Sequence, residues 1–185
     1  GNLLGRDQSG EVYAVGFEMY LNLLNQAIER LTTSGWHAQD EVLLELEYSG
    51  FIPDTYVHSI QTKMEIYKKV AGIQTKQELG MLYSELEDRF GPIPDEVYSL
   101  LSLAEVRIIA KQLNITSVKE KKGEITVEFG KVSDINIDKL MTLIRNNSDK
   151  IRLSPEKPNS IILTSGKVAL KEKSEFIREK LESLI

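Results

Sequence analysis

The chain has 185 residues, which suffices for one domain with a substantial core, or for a domain and an appendage. Its net charge of −5 argues against tight DNA binding by the chain alone, because phosphate affinity requires clustered lysine and arginine. The chain contains no cysteine, which excludes disulfides, thiolate nucleophiles and thiolate metal ligands. It lacks a long apolar run and a signal-peptide pattern and begins with Gly1, so we expect an excised fragment of a cytoplasmic protein that does not enter membranes.

The N-terminal region, residues 1–38, is predicted to form a loop and one long helix. Residues 1–11 are rich in glycine and polar side chains, and Val12 to Leu31 carries apolar residues along one side at helical spacing. Residues 32–40 are polar and contain Gly35, which is typical of a boundary. We therefore predict a second domain over residues 39–185.

Residues 42–48 alternate between apolar and acidic side chains, which predicts a strand covered on one side. The acidic residues are Glu45 and Glu47. Two carboxylates at this spacing could form a catalytic pair, but an exposed strand face explains them better.

Three helices are predicted to form the core between residues 60 and 113. The first carries Ile60, Met64 and Tyr67 on one apolar stripe. The second begins at a capping box formed by Thr75 and Glu78. Its predicted buried stripe contains Leu79, Leu82, Tyr83, Leu86 and Phe90.

The third helix is predicted to be the central one. It follows Pro94, which suits a first helical turn, and it is apolar on two faces. After it, two strands flank Lys122-Gly123 as a hairpin, and Asn136 can cap a short helix. Short strands near residues 151–153 and 161–163 and a closing helix over 170–184 complete the pattern. The fold class is α+β: a helical core packed against a small, mostly antiparallel sheet, preceded by the long N-terminal helix.

The residue types that carry chemistry are sparse. His37 and His58 are isolated in the sequence, and surface or capping roles explain them better than metal binding. The glycines match neither a Walker motif nor a dinucleotide fingerprint. We therefore expect no catalytic residue, metal or cofactor in this chain.

Two other functions are alternatives. Asp95 together with Glu120 and the following lysines mimics the acids and lysine of a magnesium-dependent nuclease, but Asp95 opens a helix and Glu120 lies beside a hairpin turn. The basic run 119–122 is short and lacks aromatic residues, so a solvated turn explains it better. The second alternative is a nucleic-acid-binding accessory domain of a repair helicase. It would need a cluster of basic residues on one face, although the net charge of the chain is negative.

Several motifs, in order along the chain, resemble one protein family. The chain resembles the C-terminal domain of bacterial transcription-repair coupling factors (the Mfd family) in Phe51-Ile52-Pro53-Asp54, in the Glu-Leu-Glu-Asp-Arg-Phe-Gly run of residues 85–91, and in the Leu-Leu-x-x-Ala-x-x-Arg run of residues 100–107. Upstream, residues 1–5, 8–10 and 15–20 resemble the end of that family's translocase module. The likeness covers most of residues 1–113 and is one of pattern only beyond about residue 120.

This resemblance implies a non-catalytic regulatory domain. In the family, such a domain docks on the UvrB-like N-terminal module of the same protein and masks the binding surface for UvrA. It also restrains the ATP-driven DNA translocase until stalled RNA polymerase is engaged. Gln8 matches the tail of the motif that couples ATP hydrolysis to translocation.

Glu85 and Asp88 are the candidate partner-binding residues. Their i, i+3 spacing places them on one helix face, opposite the predicted buried stripe. Composition alone favours a solvated face for them. The resemblance implies instead that they face basic residues on the UvrB-like module. Arg89, next to them, is expected to brace the helix end or its own neighbours.

Overall fold

The computed structural model describes residues 42–47, 50–130, 136–166 and 170–185. The predicted N-terminal loop and helix, with Gln8 and His37, lie outside these residues, as does Tyr48. The described chain divides into two compact units: residues 50–104 form the first, and the second comprises 42–47 with the described part of 105–185. The predicted boundary at residues 38 and 39 therefore stays a prediction.

The first unit is helical. It contains α1 (Ile60–Gly72), α2 (Lys76–Phe90) and the first ten residues of α3 (Asp95–Gln112). Thr75 caps α2 by accepting a hydrogen bond from the backbone N–H of Glu78 at 3.1 Å. The Glu78 carboxylate accepts the N–H of Gln74, also at 3.1 Å, so the predicted capping box forms with its return bond one residue earlier.

The predicted buried face of α2 is confirmed at Leu79, Leu82 and Leu86, all enclosed in the core. It was wrong at Tyr83, in the middle of the helix, and at Phe90, its last residue, since both are only half-buried. Phe90 lies at the last helical turn, where its ring packs on that of Tyr56 with centroids 5.7 Å apart. The predicted stripe therefore overestimated burial at both aromatic positions.

The predicted face of α1 was wrong at two positions. Ile60 and Met64 are 52% and 37% exposed, and of the predicted stripe residues only Tyr67 is fully enclosed. The buried side is built around Lys63, whose ammonium lies 3.1 Å from the Asp54 carboxylate. A lysine can bury its apolar stem when its charge is paired. The buried side of α1 therefore contains a charged residue, and a search for apolar residues alone did not identify it. The enclosed residues of α1 are Lys63, Ile66, Tyr67 and Val70.

The segment before α1 is hydrogen-bonded to α1 and to the end of α2. The hydroxyl of Tyr67 accepts the N–H of Ile52 at 3.1 Å. The hydroxyl of Tyr56 donates toward the carbonyl oxygens of Gly91 at 2.9 Å and Leu86 at 3.2 Å, and so closes the C-terminal end of α2. Burial, and then the nearby charge of Glu87, raise the pKa of Tyr56, which keeps its phenol protonated as a donor.

The second unit contains a five-stranded sheet with the order β1-β2-β3-β5-β4. The strands are β1 (Leu43–Glu45), β2 (Ile115–Lys121), β3 (Glu124–Phe129), β4 (Ile151–Leu153) and β5 (Ser160–Thr164). Strand β1 pairs parallel to β2, and all other pairs are antiparallel. The predicted hairpin is confirmed: Lys122 and Gly123 have φ angles of 51° and 80°, the left-handed pair that a two-residue type I′ turn requires.

Two helices accompany this sheet, α4 (Ile137–Asn146) and α5 (Leu170–Glu182). Asn136 caps α4 as predicted, its side-chain oxygen accepting the N–H of Lys139 at 3.1 Å. The core of the unit joins both helices, the sheet and the second half of α3; among its members are Val106, Ile109, Val118, Val127, Leu143, Leu163, Ile177 and Leu181. The predicted α+β class, with a mostly antiparallel sheet, is therefore confirmed. Within the described ranges, no helix is both long and apolar enough to cross a bilayer.

Candidate protein-interaction site

The outward face of α2 carries both predicted site residues. Leu82 and Leu86 fix which side of the helix is buried, and this turns Glu85 and Asp88 toward solvent. The helix is capped at its start by Thr75 and closed at its end through Tyr56. The two carboxylates therefore stand on a helix whose two ends are both hydrogen-bonded.

The carboxylate of Glu85 forms ion pairs with two basic side chains. The Lys69 ammonium, on α1, lies 2.7 Å and 2.9 Å from its two carboxylate oxygens, and the Arg89 guanidinium lies 3.5 Å away. The hydrogen bond from Lys69, followed by the charges of Lys69 and Arg89, lowers the pKa of Glu85 against the opposing effect of partial burial. Its side chain remains 35% exposed, so solvent screens these ion pairs.

Asp88 differs from Glu85. It is exposed and has no ion-pair partner among the residues that the structure describes. Arg89 points to Glu85, and its guanidinium lies 4.8 Å from the centre of its neighbour's ring, that of Phe90. As expected, Arg89 braces its own helix end, which leaves Asp88 as the free acid of the pair.

Replacing Lys69 with methionine is expected to raise the pKa of Glu85 toward the ordinary value of a glutamate, because the hydrogen bond from Lys69 is the main cause of the lowered pKa. The lowered pKa stabilises the fold at pH values above the unfolded-state pKa, and this contribution is lost as the pH falls through the folded-state pKa. Since the pair is exposed, the loss should be below about 1 kcal/mol. Carboxyl chemical shifts followed by NMR across an acid titration measure the change. An identical Glu85 titration in both proteins would contradict the assigned pair.

The same face contains residues that sequence analysis did not identify. Gln77, Gly80, Met81 and Ser84 line a shallow groove that continues to Glu85, Asp88 and Arg89. Met81 is 67% exposed, although it is a large apolar residue in mid-helix. The signal available in the sequence was a Gly-Met pair off the apolar stripe, one turn before Glu85.

The residues of the nuclease alternative have other roles. The buried carboxylate of Glu120 faces Lys173 of α5, with the ammonium 2.8 Å from one oxygen and 3.1 Å from the other. Glu120 is therefore enclosed on the inner side of β2, rather than presented at the hairpin mouth. Asp95 lies in the first turn of α3, in the other unit. In the described part of the chain, no cluster of three His, Cys, Asp or Glu side chains could hold a metal ion.

The remaining sequence candidates fit structural explanations. Glu45, on β1, and Glu47, two residues beyond its end, are both exposed. The carboxylate of Glu47 accepts the N–H of Lys122 at 2.9 Å and so supports the hairpin turn. His58 lies exposed just before Ser59, the N-terminal cap of α1.

The described residues thus define an α+β domain that presents a charged, solvent-exposed helix face, a surface of the kind that interaction domains offer to partners. Residues 46–140 match the family described as the TRCF domain. The chain belongs to this family, that of the C-terminal region of transcription-repair coupling factors.

Similar proteins agree with this membership. The chain is 40% identical over 184 residues to the transcription-repair-coupling factor of Borreliella burgdorferi, covering all of this chain and 16% of that protein. It is 29% identical over 192 residues to that of Escherichia coli, covering all of this chain and 17% of the relative. A crystal structure of the C-terminal domain of transcription-repair coupling factor aligns with a TM-score of 0.67 and 28% identity, over 78% of this chain and 91% of the other. The chain spans about one sixth of the length of these two curated relatives.

Proposed function

We propose that this chain is the non-catalytic regulatory domain of a transcription-repair coupling factor and acts in the cytoplasm. In this proposal, the outer face of α2 docks on the UvrB-like N-terminal module of the same protein. Docking masks the surface that binds UvrA and restrains the ATP-driven DNA translocase until stalled RNA polymerase is engaged. Residues 1–38, with Gln8, would be the tail of the translocase module.

The observation that carries the proposal is the carboxylate of Asp88, which lies beside Glu85 on a capped helix and has no ion-pair partner in the described part of the chain. A charge without a partner gains most from an incoming arginine or lysine. Because the helix is already fixed at both ends, its backbone loses little freedom when a partner binds. A basic partner surface is the complement of this face.

The magnitude of such contacts suits a switch. An exposed carboxylate–arginine pair contributes about 0.2–1 kcal/mol, so no single pair locks the domain. Several pairs around an apolar centre can hold a docked state by a few kcal/mol. A partner with a comparable difference in affinity for the two states then releases it.

Titration of this 185-residue chain with the isolated UvrB-like module of the same parent tests the proposal. We expect saturable binding that weakens as salt rises and that weakens further in Asp88→Asn. The matched control is Asp149→Asn, an exposed aspartate in the other unit, which should bind as wild type does. Absence of binding, or equal binding by both variants, would contradict the proposed docking face.

A further inference from the structure

We infer that the docking face extends one helical turn before Glu85, where Met81 enters an apolar recess of the partner and the partner backbone lies against Gly80. This inference rests on the proposed docking function. In addition to the charged contacts of Glu85 and Asp88, the docking face would then contain an apolar anchor at Met81 and a point of close backbone approach at Gly80.

Met81 has the position and exposure of an anchor. It precedes Glu85 by four residues and Asp88 by seven, so the three side chains share one face of α2. Among the large apolar residues that the structure describes, it is the most exposed. An apolar group surrounded by polar and charged ones is the usual arrangement at an interface, and the flexible methionine side chain adapts readily to a recess.

Gly80 has no role inside the described fold. Glycine in a helix interior costs about 1 kcal/mol relative to alanine. A Cβ built on Gly80 would meet no atom of the described residues within 4 Å, so their packing does not require a glycine at this position. Its φ is not in the left-handed region, so backbone conformation does not require glycine either. Close approach from outside the domain is the use that remains.

These features define the partner surface by its chemistry. It must offer an apolar recess for Met81, a flat backbone segment opposite Gly80, and basic groups placed to meet Asp88. An arginine suits this best, because its guanidinium can bind a carboxylate through two parallel hydrogen bonds. At Glu85 the incoming base must compete with Lys69, so the gain there is smaller than at Asp88.

The test is titration of Met81→Ala and Gly80→Gln variants of this chain with the isolated UvrB-like module. We expect each variant to bind about tenfold more weakly than wild type. Met64→Ala is the matched control, since Met64 is also an exposed helical methionine but lies on α1 outside the groove, and it should change the affinity less than about twofold. Thermal unfolding should show a higher midpoint for Gly80→Gln, because the open space accepts the side chain and helix propensity rises.

Each outcome is decisive. Weaker binding with raised stability in Gly80→Gln supports close approach by the partner, because a purely structural glycine would not separate the two effects. Wild-type affinity in both variants overturns the inference while docking itself stands. A lowered unfolding midpoint for Gly80→Gln shows that the glycine serves the fold and overturns its assignment. No binding by wild type overturns the docking proposal, and the inference with it.

Discussion

Replacing Gly50 with alanine is expected to destabilise the helical unit by about 3 kcal/mol or more, a large fraction of a domain's total stability. A Cβ at Gly50 would lie 2.0 Å from the backbone nitrogen of Leu100 and 2.5 Å from its Cβ. Leu100 belongs to α3 and is fully buried, so the clash can be relieved only by moving helix backbone within the core. Urea titration followed by circular dichroism measures the loss.

The matched control makes the same chemical change at Gly80, where the Cβ meets open space. Gly80→Ala should raise the free energy of unfolding by about 0.5–1 kcal/mol through helix propensity. If Gly50→Ala lowered stability by less than about 1 kcal/mol, the packing of this segment on α3 would be wrong.

Reversing both acidic charges is expected to reduce affinity for the isolated UvrB-like module by roughly 100-fold or more. In Glu85→Lys/Asp88→Lys, like charges face each other across the contact, so the effect should exceed that of truncation to alanine. Part of the change is local, because a lysine at position 85 also faces Lys69 and Arg89.

Asp88→Lys alone separates these effects, since Asp88 has no ion pair to disturb among the described residues. It should weaken docking strongly and leave the circular dichroism spectrum and the urea midpoint unchanged. Asp149→Lys is the control for adding positive charge elsewhere. Docking that survives Asp88→Lys would rule out this residue as a contact.

The features that sequence predicted well are those decided by neighbours along the chain. Lys122-Gly123 sets its hairpin through the φ angles of two residues. Thr75 and Asn136 cap their helices through hydrogen bonds to the backbone N–H three residues later in the chain. The errors arose where contacts with residues farther along the chain decide which side chains are buried. Lys63 is buried because it pairs with Asp54, and the carboxylate of Glu120 is buried because it pairs with Lys173.

The candidate site shows the same division. The i, i+3 spacing alone places Glu85 and Asp88 on one face, and the structure agrees. Their difference in pairing depends on Lys69, sixteen residues before Glu85 and on another helix, which no local pattern encodes. The exposure of Met81 likewise depends on which side of α2 the core covers.

Docking of this domain is proposed to withhold UvrA, and capture of UvrA by the full-length parent is the direct test of that role. The measurement compares wild type with Glu85→Lys/Asp88→Lys in the absence of RNA polymerase, after circular dichroism has shown both to be folded. We expect the variant to capture more UvrA, and a compensating Arg→Glu change on the UvrB-like module to restore masking. Equal capture of UvrA by wild type and variant would contradict it.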